Sequence, residues 1–380
     1  MPRRHRPNLA ARHALSPAAV AAWLAFAGPA FAGEATDATG AAPIERAGLL
    51  GLRVTLSGQL NRAVLVAADG GGTNAFFADN DHSSTRLTGV VETGGGMTWS
   101  AGAAVEVEVN ANATTEVSQR DLWGDTNSKL NERRLEVWFG MSRLGRLWIG
   151  HGPMATEDTS EVDISGTTLA GGSDIGDVAG GLFFRSGDGS LTHIRVGDAF
   201  TNLDGLGKRD RLRYDTPEIG GLTVSASVDE HQAWDVAVRS AASFGGAEIK
   251  GAAGLASGDS DRHRVNGSAS LRLPSGWVAT LAGGWEDVEQ GRAITAVYIK
   301  TGWRGDIWAI GENAVSVDGA VVRNMETTGG IAWVAGLQAV QVVDDWATDL
   351  YVGLRFHVYD HPTRELPAVA AALLGARLRF

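Results

Sequence analysis

Six carboxylates crowd one stretch of the chain: Glu157, Asp158, Glu161, Asp163, Asp174 and Asp177, with no lysine or arginine between the first and the last. A second set of charges is basic and scattered. Arg86 and Arg134 come early. Arg209, Arg211 and Arg213 follow the acidic stretch at a spacing of two, which places them on one face of a strand. Arg62 joins this set, although its parity conflicts with Arg53 unless a bulge lies between them. An acidic segment facing a basic wall sets up a field across the water between them, and walls of charge of this kind select ions. The other reading is a solvated acidic surface loop beside arginines that pair locally. The residues alone leave both open.

Bond-making chemistry finds less support. The chain has no cysteine, which excludes thiolate metal sites and Cys nucleophiles. No G-x-S-x-G elbow and no phosphate-cradling P-loop occurs. A barrel hydrolase with a Ser/His/Asp set recognised only by geometry is a residual alternative. His357 and His361 are four residues apart, but on a strand that separates them by about 13 Å, too far for one metal. The Gly258–Asp261 run reads as a turn before it reads as a weak calcium loop. No catalytic residue, metal ligand or cofactor is therefore assigned.

The elements that must carry these charges read as strands. In Asn131–Met141, Leu135, Val137, Phe139 and Met141 alternate with Glu132, Arg134 and Glu136. The same period of two runs through Arg53–Asn61 and Met97–Val109, the pattern of strands with one apolar and one wet face. Turn residues divide the chain into sixteen segments: 52–67, 82–93, 97–109, 130–142, 146–151, 208–216, 221–229, 233–243, 246–256, 262–273, 276–287, 292–302, 305–315, 326–342, 347–358 and 370–380. Short connections, such as 143–145 and 303–305, alternate with longer polar ones, such as 316–325. That rhythm predicts an all-β fold, a transmembrane antiparallel up-and-down β-barrel. Residues 182–186 and 191–196 could add a strand pair. Trp99, Trp148, Trp277, Trp303, Trp308 and Trp346 all lie near short turns, where a girdle at the membrane boundary is expected. The connection at 152–207 is out of proportion, and loops of that length are usually functional or disordered. The last strand ends on Phe380, with Leu374, Ala376 and Leu378 on its face and Arg377 and Arg379 on the other.

The N-terminus adds a destination. Arg3, Arg4, Arg6 and Arg12 precede an apolar run at 18–27 and the small-residue triplet Ala30-Phe31-Ala32, the three parts of a secretory signal peptide. Residues 1–32 are the expected signal, 33–51 a flexible lead-in with a short helix around 43–50, and 52–380 the barrel. Removing the four signal arginines from 33 basic residues leaves 29 against 44 acidic ones, a net charge of −15. That balance argues against nucleic-acid binding, which needs a basic face.

Several stretches resemble Gram-negative general porins, particularly those of alphaproteobacterial type. Leu56-Ser-Gly-Gln-Leu-Asn-Arg-Ala63, Asp79–Arg86, Glu132–Trp138, Gly145–Gly152, Glu161–Thr167 and Arg211–Pro217 follow one another in the order and spacing of that family. The resemblance covers residues 52–380 and is strongest up to about residue 228. It implies sixteen strands, a homotrimer, and a third outer loop folded inward as the constriction, here the acidic segment at 152–180. It implies a facing basic cluster, matched best by Arg86 and Arg134. The implied function is a water-filled channel for small hydrophilic solutes and ions in the outer membrane, among lipid and lipopolysaccharide. The alternative is a plugged barrel that serves as a structural or adhesive surface protein. The segment at 181–207 departs from the family pattern.

Overall fold

A computed structural model of the chain describes residues 44–47, 51–93, 98–120, 129–258, 262–288 and 292–380. The signal segment 1–32, the lead-in to residue 43, the glycine turn 94–96 and the acidic residues 259–261 lie outside them. In chain order β1 is Ile44–Ala47, β2 Leu52–Ala68 and β3 Thr73–Ala78. Next come β4 (Arg86–Thr93), β5 (Trp99–Asn110), β6 (Lys129–Met141) and β7 (Gly145–Pro153). Two short strands, β8 (Phe183–Arg185) and β9 (Leu191–Arg195), pair only with each other. The run then continues through β10 (Lys208–Asp215), β11 (Leu222–Asp229), β12 (Trp234–Phe244), β13 (Ala247–Ser257), β14 (His263–Arg272) and β15 (Trp277–Val288). It ends with β16 (Arg292–Trp308), β17 (Gly311–Arg323), β18 (Ile331–Val343), β19 (Thr348–Asp360) and β20 (Val369–Arg379).

Sixteen of these strands, β2, β4–β7 and β10–β20, form a closed antiparallel barrel. Each pairs with the next, and β20 closes on β2 from Gln59↔Arg379 to Ala68↔Ala370. Closure follows from the solvent, since each unpaired N–H or C=O in hydrocarbon costs several kcal/mol. At the seam Gly58 and Phe380 exchange backbone hydrogen bonds of 2.8 and 3.0 Å. A Cβ at Gly58 would stand 2.6 Å from the Phe380 ring, so glycine makes the room in which the last side chain lies.

Beyond the end of β20, the edge of β2 is taken by β1, which pairs with Arg53–Leu56. The expected short helix around 43–50 is therefore replaced by a strand at 44–47. An unpaired stretch of edge is available there, and main-chain hydrogen bonds to it outweigh the weak local helix preference. On the other side of β2, β4 pairs with Leu52–Gln59 and β3 takes over from Ala63 to Ala68.

Alternation decides which face meets lipid. On β6, Leu135, Val137, Phe139 and Met141 are exposed on the outside, while Glu136, Trp138 and Gly140 are buried inside. Three boundaries move relative to the sequence reading. The second barrel strand starts at Arg86, because Asp81–Ser83 forms a 3-10 turn whose amide at His82 is capped by Asn80. The expected turn at 303–305 is a bulge inside a longer hairpin, where Asn313 Oδ1 accepts from the amides of Ile307 (2.8 Å) and Trp308 (3.3 Å). As a result 316–323 is strand rather than loop: its polar members, Ser316 and Asp318, point into the barrel.

The tryptophans follow suit with one exception. Trp99, Trp277, Trp308 and Trp346 are exposed on the outer face near short turns, and Trp303 is half-buried on that face. Trp148 instead points inward. Its ring lies 5.1 Å from that of Trp138, and Nε1 donates to Asp215 at 2.7 Å. Its even position in β7 sets this orientation, whatever its distance from a turn.

Candidate conduction site

The long connection after β7 runs inside the barrel. Its first leg travels along the inner wall from strand to strand. The Ala155 and Thr156 amides donate to Asp235 on β12 at 3.2 and 2.8 Å. Thr159 meets Asn266, and the amides of Val162 and Ile164 donate to Ser268 and Ser270, all on β14. Thr167 meets Ser316 on β17, and Arg355 on β19 donates to the Gly172 carbonyl at 2.8 Å. Lys300, on β16, anchors the middle: its ammonium sits 2.6 Å from Asp163 and 2.8 Å from the Gly171 carbonyl. The small polar residues of these strands, spaced by two, make a ladder of partners for a loop backbone that would otherwise be buried unpaired.

The second leg folds back. After a 3-10 turn at Ile175–Asp177, β8 and β9 make a hairpin inside the loop rather than an added pair in the barrel. A single helical turn, Val196–Ala199, leads into an irregular return segment, 200–207. Asp204 there accepts from the amides of Asp158 (2.7 Å) and Ser160 (2.9 Å), and Asn202 donates to Glu161 at 2.8 Å. Leu182, Phe184, Ile194, Val196 and Phe200 join one apolar cluster with Leu65, Val334, Tyr359 and Leu373 of the barrel wall.

These contacts leave an open side. Two wall cations against the middle of the loop have no accessible surface, Lys300 and Arg355 in its pair with Asp318, whereas Arg264 and Arg304, which also donate to loop carbonyls, keep 29% and 25%. Across the lumen, on β6 and β10, three inward arginines remain partly accessible, Arg133 at 26%, Arg134 at 19% and Arg213 at 17%, although Arg211 and Glu136 among them are buried.

The acidic residues split by role. Asp158 is exposed and lies with Glu161 and Asp204 so that one carboxylate oxygen of each falls within 4.8 Å of the others. Glu157 is buried in an ion pair with Lys208. Asp163 is bound to Lys300, with both side chains almost wholly buried. Asp174 caps the 3-10 turn through the Gly176 amide, and Asp177 faces His82 at 3.3 Å. Burial and mutual repulsion raise the acidic group. Glu161 is pushed well above the usual carboxylate range by burial and by Asp204 and Asp158. Burial also lifts Asp174 and Asp177 to about 7, with Asp177 adding to the effect on Asp174. Burial drives His82 the other way, to about 4, aided by Arg355.

The basic residues divide as well. Arg86 faces inward opposite Glu108, and Arg134 binds Glu136 at 2.6 Å. Arg209, Arg211 and Arg213 do share one face, each with a carboxylate: Asp229, Glu136 and Asp215. Arg62 is not part of the wall. β2 runs against β20 without a bulge, so Arg62 keeps the outward parity of Leu60 and Val66 and reaches Asp79 at 3.5 Å. Residue types alone missed Arg133 and Arg239. A bulge opposite Glu106 and Val107 turns Arg133 inward beside Arg134, where it meets Glu106 and Glu108. Arg239 shares the inward parity of Asp235 and donates to the Ala155 carbonyl at 2.8 Å; that parity was the available signal.

A closed sixteen-stranded barrel with a polar interior and one long loop folded along its inner wall defines a transmembrane diffusion channel. The sequence pattern of the family described as Gram-negative porin matches residues 18–360. The chain belongs to that family: it is an outer-membrane porin, a water-filled channel for passive diffusion of small hydrophilic solutes and ions.

Solved structures agree on the fold. The anion-selective porin from Comamonas acidovorans is similar at a TM-score of 0.58 and 15% identity, over 87% of this chain and all of that one. The trimer form of OmpT, an outer membrane protein of Vibrio cholerae, gives 0.55 and 12%, over 87% and 100%. The outer membrane channel DcaP of Acinetobacter baumannii gives 0.56 and 10%, over 88% and 99%. At such identities the likeness shows the fold alone. No curated protein matches the sequence.

Proposed function

We propose that the selective eyelet of this porin lies between Asp158 and Glu161 on the inner loop and Arg133, Arg134, Arg213 and Arg239 on the barrel wall. The observation that carries this reading is access: Arg133, Arg134 and Arg213 keep water contact, while Lys300 and Arg355, which hold the middle of the loop, have none. Asp158 would give a solute negative charge on one side, Glu161 would add to it as pH rises, and the arginines would give positive charge on the other. Small dipolar and ionic solutes align in such a field, and no chemical step is involved. Glu157 and Asp163 are neutralised by lysines and set the loop's position. Asp174, Asp177 and Arg86 flank the eyelet.

Residues 1–32 serve as a cleaved export signal, 33–51 as a lead-in, and 52–380 as the channel. Three copies assemble in the outer membrane among lipid and lipopolysaccharide, as the trimer form of the Vibrio cholerae relative suggests. Planar-bilayer recording in a potassium chloride gradient tests the eyelet. The Asp158→Asn/Glu161→Gln variant is expected to move the reversal potential toward chloride. An unchanged potential would remove these two residues from the eyelet, and absence of stepwise conductance would remove the channel itself.

A further inference from the structure

The eyelet leaves the hairpin at 182–195 unexplained. It is an excursion whose ends meet: the Val196 amide donates to the Leu182 carbonyl at 2.9 Å, and the Gly197 amide to the Gly180 carbonyl at 2.9 Å. The loop could pass from 181 to 196 without it. Its tip, Gly187–Ser190, is exposed and holds itself through Asp188. Its inner side chains, Leu182, Phe184 and Ile194, are fully buried, and the Phe184 ring lies 6.0 Å from Tyr359 near the outer end of β19.

Two outer loops clamp the hairpin. From the first, Asp69 forms a 3.0 Å ion pair with Arg185. From the second, Gln119 accepts from the Phe183 amide and donates to its carbonyl, both at 2.9 Å. Arg120 lies 4.0 Å over the Phe183 ring and donates to the Thr192 carbonyl at 2.9 Å. None of these contacts touches the eyelet arginines.

The wall beneath is unusual for a water-filled lumen. On β2 and β18–β20 the inward positions near the outer mouth are Leu65, Val334, Tyr359, Val369 and Leu373. An uncovered apolar wall beside water either dewets or takes up apolar solutes. We propose that the hairpin at 182–195 is a fixed cover over this apolar half of the mouth, which confines passage to the charged half and makes the channel reject aromatic and aliphatic solutes. This rests on the eyelet reading only for where the open route lies.

The test is a variant with 182–195 replaced by two glycines, recorded in planar bilayers and assayed by liposome swelling in arabinose and in phenylalanine. Single-channel conductance is expected to rise about twofold or more, and the phenylalanine-to-arabinose swelling ratio about threefold, because the new route is wide and apolar. A folded variant with both values unchanged overturns the proposal. If the deletion does not fold, Arg120→Ala/Arg185→Ala decides. Loss of the clamps should raise the same ratio in part, and an unchanged ratio overturns the proposal equally. Absence of conductance in the unaltered protein would instead defeat the channel reading, so the two failures are distinct.

Discussion

The two halves of the inner wall are built by the same rule and end in opposite states. On β4–β7 and β10 the inward residues alternate in sign: Arg86 with Glu106 and Glu108, Arg133 and Arg134 with Glu136, then Arg211, Arg213 and Asp215. They form ladders of charge-assisted bonds that remain partly wet except at the buried Arg211–Glu136 pair, and each exposed pair is worth at most about 1 kcal/mol. On β16–β19 the inward residues Lys300, Ser316 and Arg355 are covered by the loop. There Lys300–Asp163 and Arg355–Asp318 are stripped of water and bound to loop carbonyls and hydroxyls. The contrast shows that inward parity specifies only "away from lipid". Whether an inward charge faces solute or holds a loop depends on what lies over it.

The largest expected effect breaks the sealed half. Lys300→Met leaves Asp163 buried without its partner, a loss of about 3–5 kcal/mol. Urea unfolding should show the midpoint fall, and recordings should show a loop that no longer keeps one conductance level. Pairing it with Asp163→Leu should recover most of the stability, since removing both charges removes the unpaired one.

Next, the wet half can be sharpened. Arg133→Ala/Arg134→Ala is expected to raise the potassium-to-chloride permeability ratio about fivefold, the factor for roughly 1 kcal/mol between charges about 4 Å apart in water. Reversal potentials in a salt gradient read this, and an equal shift from Arg355→Gln would erase the distinction between the two halves.

A smaller effect follows from pH. Asp174 and Asp177, lifted to about 7 by burial, are mostly charged at pH 8 and mostly neutral at pH 6. Cation preference should therefore fall between pH 8 and 6, a range in which ordinary carboxylates stay charged. Linkage fixes the sign for stability. Their folded pKa lies above the unfolded value, so these two groups bind more protons in the folded chain between about pH 4 and 7, which outweighs the opposite shift of the single His82 beside them. Stability should rise as pH falls through that window, and urea midpoints at pH 5 and 8 check it. The smallest expected effect is Trp148→Phe, which removes one hydrogen bond to Asp215 and should cost about 0.5–1.5 kcal/mol by the same unfolding assay.

Much of the barrel is legible in the sequence because a strand's side chains alternate strictly. The period of two in 131–141 places every residue of β6 on its face, and glycine-rich or charged turns separate most hairpins. The reading failed where a local signal was mistaken for a break. Arg304 and Gly305 looked like a turn, but a bulge carries the hairpin on to Trp308. Ser316 and Asp318 looked like loop, but they are the wet face of β17. Arg62 was placed by its charge, when parity had already sent it outside.

By itself the sequence determined the barrel, its strand number and the composition of each face, since these follow from hydropathy and turn chemistry acting over a few residues. The amphipathic pattern of the last strand, ending on Phe380, also belongs to that local logic, but its contact with Gly58 does not. Only the tertiary structure decided the path of 152–207, because its partners lie up to 183 residues away, as between Gly172 and Arg355. No local period encodes which of many inward serines, asparagines and arginines a buried loop will meet. That path separates anchoring charges from those that face solute, so the channel's selectivity is a property of the closed barrel.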